Sequence, residues 1–336
     1  MNVAAPISNK LNFSKDVLVL DAAAEVERIV EALRMQVVAT CERRGAVVGL
    51  SGGIDSSVVA ALCVRAFGKD KVLAIFMPER HSSHDSLRLG RSWATQLGIS
   101  TVLEDISPAL ESLGAYRRQI EAIRTVAPEY DDGWKCKLVL PPILGNKNRL
   151  NVTYLMVQCP GGATRSVRLS SGAYLQIVAA TNYKQRVRKM TEYYHADRLR
   201  YAVAGTANRL EHDQGFFVKQ GDGIADVMPI AHLYKTQVYQ LAEYLGVDEE
   251  IRSRPPTSDT FSMPQSQEEF YFALPYQLMD LCLFAVNHRI APDVVAGVLG
   301  LTTDQAETVF RDIGAKRRAA RYLHAQPALV AQLFED

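Results

Sequence analysis

The run "GLSGGIDSS", Gly49 to Ser57, joins the apolar stretch Ala46-Val47-Val48 to "VVAALCVRAFG". A strand, a glycine–serine loop and a helix N-terminus make an anion site. Glycines let backbone amides approach phosphate oxygens, hydroxyls add donors, and the helix dipole favours negative charge. No lysine follows as in GxxxxGK[ST], and the spacing is not GxGxxG. Asp55 is the discriminating residue. A carboxylate beside bound phosphates repels them unless a cation lies between, so Asp55 points to Mg²⁺.

Such a loop needs a rigid frame. Asp21 to Arg44 has apolar residues at helical spacing, an Asp at its start and a Gly after its end, and reads as an amphipathic helix. "AVVGL" reads as a short buried strand, and the helix after Asp55 runs to Phe67, where Gly68 can cap it. "KVLAIFMP" is the next strand, "DSLRLGRSWATQLGI" a helix opened by Asp85, and "STVLEDI" a third strand. "RYAVAGTAN" (200–208) is another strand-to-loop unit, and "LYKTQVYQLAEYLGV" a helix ended by Gly246. Leu274 to Leu333 reads as helical, broken near Pro292 and Gly300. This alternation predicts an α/β protein with a doubly wound parallel sheet and a helical C-terminus. The rhythm breaks between Tyr116 and Ala180, where turn chemistry and the alternating stretch around Gly161-Gly162 read as β-hairpin material. Residues 1–336 are therefore expected to form a single catalytic domain with a β-rich element inserted at 116–180.

"SGGIDSS" resembles the pyrophosphate-binding loop of the N-type ATP pyrophosphatases, the adenine nucleotide alpha-hydrolase-like superfamily with its Rossmann-like sheet. Members transfer AMP to a carboxylate or carbonyl, release pyrophosphate, and let a nitrogen or sulfur nucleophile displace the AMP. Later residues narrow the resemblance. "GTANRLEHDQGFFVKQGDGIADVMPIAHLYKTQVYQLAEYLGV" is similar to the NAD synthase family throughout. So are "NYKQRVRKM" (182–190), at a helix start in the family, "PPTSD" (255–259), "EEFYFALPYQLMD" and "AKRR" (315–318). The resemblance, to the ammonia-dependent type, implies a C–N ligase. ATP would adenylate the nicotinate carboxylate of nicotinic acid adenine dinucleotide, and ammonia would then give NAD, AMP and pyrophosphate.

Carried over position by position, the resemblance implies that Gly49, Leu50, Ser51, Gly52, Gly53, Ile54, Asp55 and Ser56 hold the ATP phosphates. Thr206, Lys235 and Thr257 would contact ATP, and Asp55 and Glu211 would bind Mg²⁺. Arg186, Lys219, Asp226 and Lys316 would contact the deamido-dinucleotide. Asp55, Lys219 and Lys235 would be the catalytic groups. This agrees with the chemistry, because negative charge gathers on the departing pyrophosphate and needs a metal and lysines there. Ammonia is itself the nucleophile and need only be placed near the acyl-adenylate. Asp222 reads as a turn former, Lys184 and Lys189 as either solvated or functional, and His81, His84 and His212 as supporting or surface residues. The family acts as a homodimer, so a homodimer is expected.

Departures cluster on the acceptor side. The segment between Ile106 and Asn182 is far longer than the family's connection, Ala315 replaces the family's histidine, and Phe272-Ala273 replaces Leu-Gly after the acidic pair Glu268-Glu269. This leaves open a paralogous amide ligase acting on another carboxylate, such as a sugar acid or biosynthetic intermediate. Only about 45 residues precede the loop, too few for a glutaminase domain. "MPERHSSHDS" (77–86) nevertheless looks like the glutamine-dependent branch, so ammonia would be free or delivered by a separate glutaminase.

Composition excludes other classes. With 48% hydrophobic residues and net charge +1, the chain has no electrostatic case for nucleic acid as a partner. Five scattered cysteines without a CxxC pair fit reduced thiols and exclude a sulfurtransferase. No secretory pattern opens the chain, and no apolar run approaches the roughly 20 residues of a membrane helix. A cytoplasmic location is expected.

Overall fold

The computed structural model describes residues 13–144, 153–257 and 260–331. In chain order the helices and strands are α1 (Ala22–Arg34), β1 (Ala46–Gly49), α2 (Ile54–Phe67), β2 (Val72–Phe76), α3 (His84–Leu97), β3 (Ser100–Leu103), α4 (Ser107–Ser112) and α5 (Ala115–Arg124). Next come β4 (Lys135–Val139), β5 (Tyr154–Gln158), β6 (Thr164–Arg168), α6 (Ser171–Leu199), β7 (Ala202–Ala204) and α7 (Arg209–Gln214). Then follow α8 (Lys235–Tyr244), α9 (Glu249–Ser253), α10 (Tyr276–Asn287), α11 (Pro292–Leu299) and α12 (Thr303–His324).

Four strands form a parallel sheet in the order β3-β2-β1-β7. Side chains alternate between its faces. Ala46 and Val48 of β1, with Ala74 and Phe76 of β2, pack into the core built by α1, α2 and α8. Val47, Leu73, Ile75 and Val203 point the other way and meet Ala196 of α6. Both faces are thus covered, which explains why these strands read as continuous apolar runs. The chain leaves β1 toward β2 on one side, while β7 docks on the other. The carboxyl end of β1 is therefore a switch point, where open α/β sheets bind ligands.

Several sequence boundaries shift. Asp21 caps α1 through the Ala24 amide, and a wider π-type turn at Met35–Thr40 ends the helical run before Arg44. Ser83 is the N-cap residue of α3, and Asp85 sits in its first turn. The expected third strand stops at Leu103. The β-rich element is narrower than 116–180: Tyr116 lies in α5, and the antiparallel sheet β4-β5-β6 occupies Lys135–Arg168. The Ser170 hydroxyl accepts from the Ala173 amide and starts the 29-residue α6, so 182–190 lies mid-helix, not at a helix start. At the C-terminus, Pro292 opens α11, a left-handed Gly300 ends it, and α12 stops at His324, so 325–331 is not helical. Leu333 lies outside the described residues.

Candidate active site

The loop after β1 continues the sheet for one more bond, from the Leu50 amide to the Ile75 carbonyl at 3.0 Å. Gly52 then takes φ +75°, and a Cβ there would collide with the Ser86 carbonyl of α3. A Cβ on Gly49 would lie 2.6 Å from Glu192 Oε1. Glycine is needed at Gly52, where positive φ and backbone contact coincide, whereas at Gly49 the Glu192 side chain would have to give way. Ser56 and Ser57 hydroxyls donate to the Gly53 carbonyl at 3.0 and 2.9 Å and tighten the turn. Gly53 caps α2 without a side chain. The first-turn amides of a 14-residue helix are thus left for a ligand. They face a cavity of about 820 Å³ lined by Gly49, Leu50, Ser51 and Gly53–Ser56. Gly52 does not line it and serves instead to seat the loop on α3.

The opposing wall rises from the carboxyl end of β7. Thr206 and Glu211 line the cavity with Lys235 and Thr257. Asn208 and Glu211 cap α7 reciprocally at 3.2 Å, and the Asn208 side chain donates to Asp55 Oδ1 at 3.1 Å. Lys235 Nζ pairs with Asp55 Oδ2. Lys235 is 1% exposed. Burial favours its neutral form, but the charges of Asp55 and Glu211 outweigh this and raise its pKa. Burial, reinforced by the Asp55 charge, pushes the Glu211 carboxyl up to about 8. Gln267 donates to Glu211 Oε1 at 2.9 Å. Asp280 aims α8: its carboxylate accepts from the Lys235 and Thr236 amides at 3.2 and 2.7 Å, while burial raises its pKa to about 7.

The far end of the cavity is assembled differently. Arg186, from α6, donates to the Lys219 carbonyl at 3.2 Å, and both residues line the space. Lys219 Nζ donates to the carbonyls of Tyr322 and Ala325 at 2.8 and 2.9 Å, and lies 4.3 Å from the Tyr322 ring centre. Asp226 does not line the cavity; it accepts from the Val203 amide at 2.7 Å and from the Tyr193 hydroxyl at 3.2 Å. Asp222 does line it, while also holding the Val218 amide at 2.8 Å as the expected turn former. Lys316 also stays outside the lining: it pairs with Asp312 at 2.7 Å behind Tyr271, whose ring does reach the cavity. Ser258 and Asp259 of "PPTSD" lie outside the described residues.

Some participants carried no clear signal. Lys184 and Lys189 are both buried, not solvated. Lys189 pairs with Glu192 at 2.6 Å beneath Gly49, and the Lys–Glu spacing of three was the clue available. Lys184 binds Glu79 at 2.9 Å and His81 Nδ1 at 3.1 Å, and burial lowers the His81 pKa to about 4. His84 is exposed, and His212 lies ring to ring with His324 at 4.5 Å. Arg188 and Gln267 also line the cavity, and only tertiary contacts reveal them.

A parallel sheet whose switch point presents an uncapped helix start with Asp55 in its first turn, faced by buried Lys235 and by Glu211, defines an α/β architecture with an anion site at the sheet's carboxyl edge. The profile described as NAD synthase matches residues 25–127 and 162–320, flanking β4 and β5. The chain belongs to the NAD synthase family. It is 74% identical over 319 residues to the NH(3)-dependent NAD(+) synthetase of Mesorhizobium japonicum, covering 95% of this chain and 100% of that one. It is 37% identical over 244 residues to the enzyme of that name from Thermotoga maritima, covering 73% and 80%. Among solved structures, NH3-dependent NAD synthetase from Campylobacter jejuni shares the fold at TM-score 0.61 with 20% identity, covering 93% and 100%. NAD+ synthetase from Burkholderia pseudomallei aligns at TM-score 0.53 with 25% identity, covering 93% of each.

Proposed function

We propose that this protein is an ammonia-dependent NAD synthase. The nicotinate carboxylate of nicotinic acid adenine dinucleotide attacks the α-phosphorus of ATP, and pyrophosphate leaves. Ammonia then attacks the acyl-adenylate and AMP leaves, giving the amide of NAD. One observation carries this reading: buried Lys235 and Glu211 stand across one cavity from the uncapped start of α2, whose first-turn Asp55 pairs with Lys235. The α2 amides hold the phosphates of the leaving group, and Lys235 meets the charge that gathers there. Asp55 keeps Lys235 charged in a buried place and holds Asn208, which sets the turn carrying Glu211.

The donor set also suits Mg²⁺. Two carboxyl groups face one cavity beside a single buried lysine, and burial together with the Asp55 charge raises the Glu211 pKa, which a bound cation would reverse. Among the described residues no third side chain of a metal-binding group joins them, so phosphate oxygens would complete the set. Bound Mg²⁺ would neutralise charge on the β- and γ-phosphates. Arg186 and Lys219 line the cavity together, and as cations they would suit the phosphates of the dinucleotide.

The names of the relatives support ammonia as the nitrogen donor and do not favour a different carboxylate. We further take residues 1–336 as one catalytic domain interrupted by β4–β6, acting on small molecules as a homodimer. No helix among the described residues is long and apolar enough to cross a membrane. Five free cysteines support a reducing, cytoplasmic setting.

The test is release of AMP and pyrophosphate from Mg-ATP and ammonium, with and without the deamido-dinucleotide. Dinucleotide-dependent turnover of about one per second or more is expected. A folded protein that binds Mg-ATP yet shows no stimulation overturns the substrate assignment.

A further inference from the structure

Strands β4 and β5 lie between the two stretches that the family profile matches, and the sheet they form with β6 touches the cavity's cover. One edge of β4 pairs with β5. The other edge is covered by residues 262–273. The Met263 amide donates to the Cys136 carbonyl at 3.1 Å, the Leu140 amide to Glu269 at 3.0 Å and the Ile143 amide to Ala273 at 2.9 Å. The Cys136 amide donates to the Ser262 hydroxyl at 2.9 Å, and the Gln265 side chain bonds the Leu138 carbonyl. Lys137 Nζ grips both oxygens of Glu269, at 2.7 and 2.8 Å. That pair is largely shielded, with side-chain exposures of 13% and 33%.

The same segment serves the site from its other side. Gln267 bonds Glu211, the Gln267 amide bonds the Pro256 carbonyl at 3.1 Å, and Ser266 bridges Thr257. Phe270 and Tyr271 line the cavity, as does Thr153 just before β5. A cover of this kind, held only by its own loop contacts, would be among the least stable parts of a fold and would have to be ordered when ligand binds. Here a strand edge holds its backbone beforehand.

We propose that the β4-β5-β6 sheet is a brace that pre-organises residues 262–273 over the nucleotide site, with Lys137 as its positioning residue through Glu269. The second residue of the acidic pair thereby gains a partner from the sheet, while the first, Glu268, accepts from the Tyr276 amide at 3.0 Å and caps α10. Pre-organisation spares the ordering cost at binding, so its loss appears in KM more than in kcat.

The kinetic readout rests on the NAD synthase reading, so a second readout is chosen that needs no turnover. Lys137→Ala in the full chain is compared with Lys137→Arg. For Lys137→Ala, the KM for Mg-ATP should rise about fivefold with kcat within about twofold, and Lys137→Arg should restore it. Chymotrypsin should nick Lys137→Ala several-fold faster at Phe261, Phe270 or Tyr271, and Mg-ATP should slow that nicking. Unchanged nicking and KM would overturn the brace, as would kcat and melting temperature falling together with KM unmoved. If no amidation is found at all, the nicking comparison still decides.

Discussion

The two ends of the cavity are built on different principles. At the phosphate end the binding groups are largely main chain: a glycine turn locked against α3 and the open start of α2, all within Gly49–Ser57. Of its charged groups, Lys235 is buried and paired with Asp55, while Glu211 is tied to Asp55 through Asn208. At the acceptor end the groups are long side chains from distant segments. Lys219 leans on the end of α12, Arg186 comes from mid-α6, and Asp222 closes a turn. Under the proposed reaction the first end would serve the pyrophosphate of ATP through contiguous backbone, and the second would serve the acceptor through side chains that packing brings together.

If that contrast is right, Asp55→Asn should have the largest effect. It removes a carboxylate from the metal set and leaves Lys235 buried without its ion-pair partner. ATP–pyrophosphate exchange should fall about 10³-fold, or about 4 kcal/mol. Retained exchange would break the assignment of the phosphate end.

Gly52→Ala attacks the same end through the backbone alone. The positive φ and the collision with Ser86 predict a loss of about 3 kcal/mol in urea unfolding. A loss below about 1 kcal/mol would show that the turn can shift, and the close-packing argument would fail.

Lys219→Ala should separate the two ends. Amidation should drop about 30-fold, while Mg-ATP binding measured by calorimetry stays within about twofold. An equal loss of ATP affinity would mean the ends are not independent.

Lys316→Ala should do least. Its ammonium stands behind Tyr271 on Asp312, so steady-state constants should stay within about twofold. A tenfold rise in KM for the dinucleotide would show that Lys316 reaches substrate after all and would sharpen the acceptor end.

The same contrast sets what could be read in advance. The strand–loop–helix unit at Gly49–Ser57 was legible because its function is carried by contiguous backbone, and glycine, serine and Asp55 announce it locally. The parallel sheet was legible too, since β1, β2 and β7 are buried on both faces and their apolar runs say so. Element ends were less legible: α6 begins at Ser171, not near Asn182, because a serine cap and side-chain burial settle it.

By itself, then, the sequence determined the strand–glycine–serine loop–helix unit and the layered α/β frame. Those depend on local backbone chemistry and on hydrophobic periodicity. Only the tertiary structure decided that Lys184 and Lys189 are buried in ion pairs, that Asp222 instead of Asp226 faces the cavity, and that Lys137 reaches Glu269. Each of these depends on segments far apart in the chain meeting in one place. A charged side chain carries no mark of its partner until packing removes the water that would otherwise serve as one.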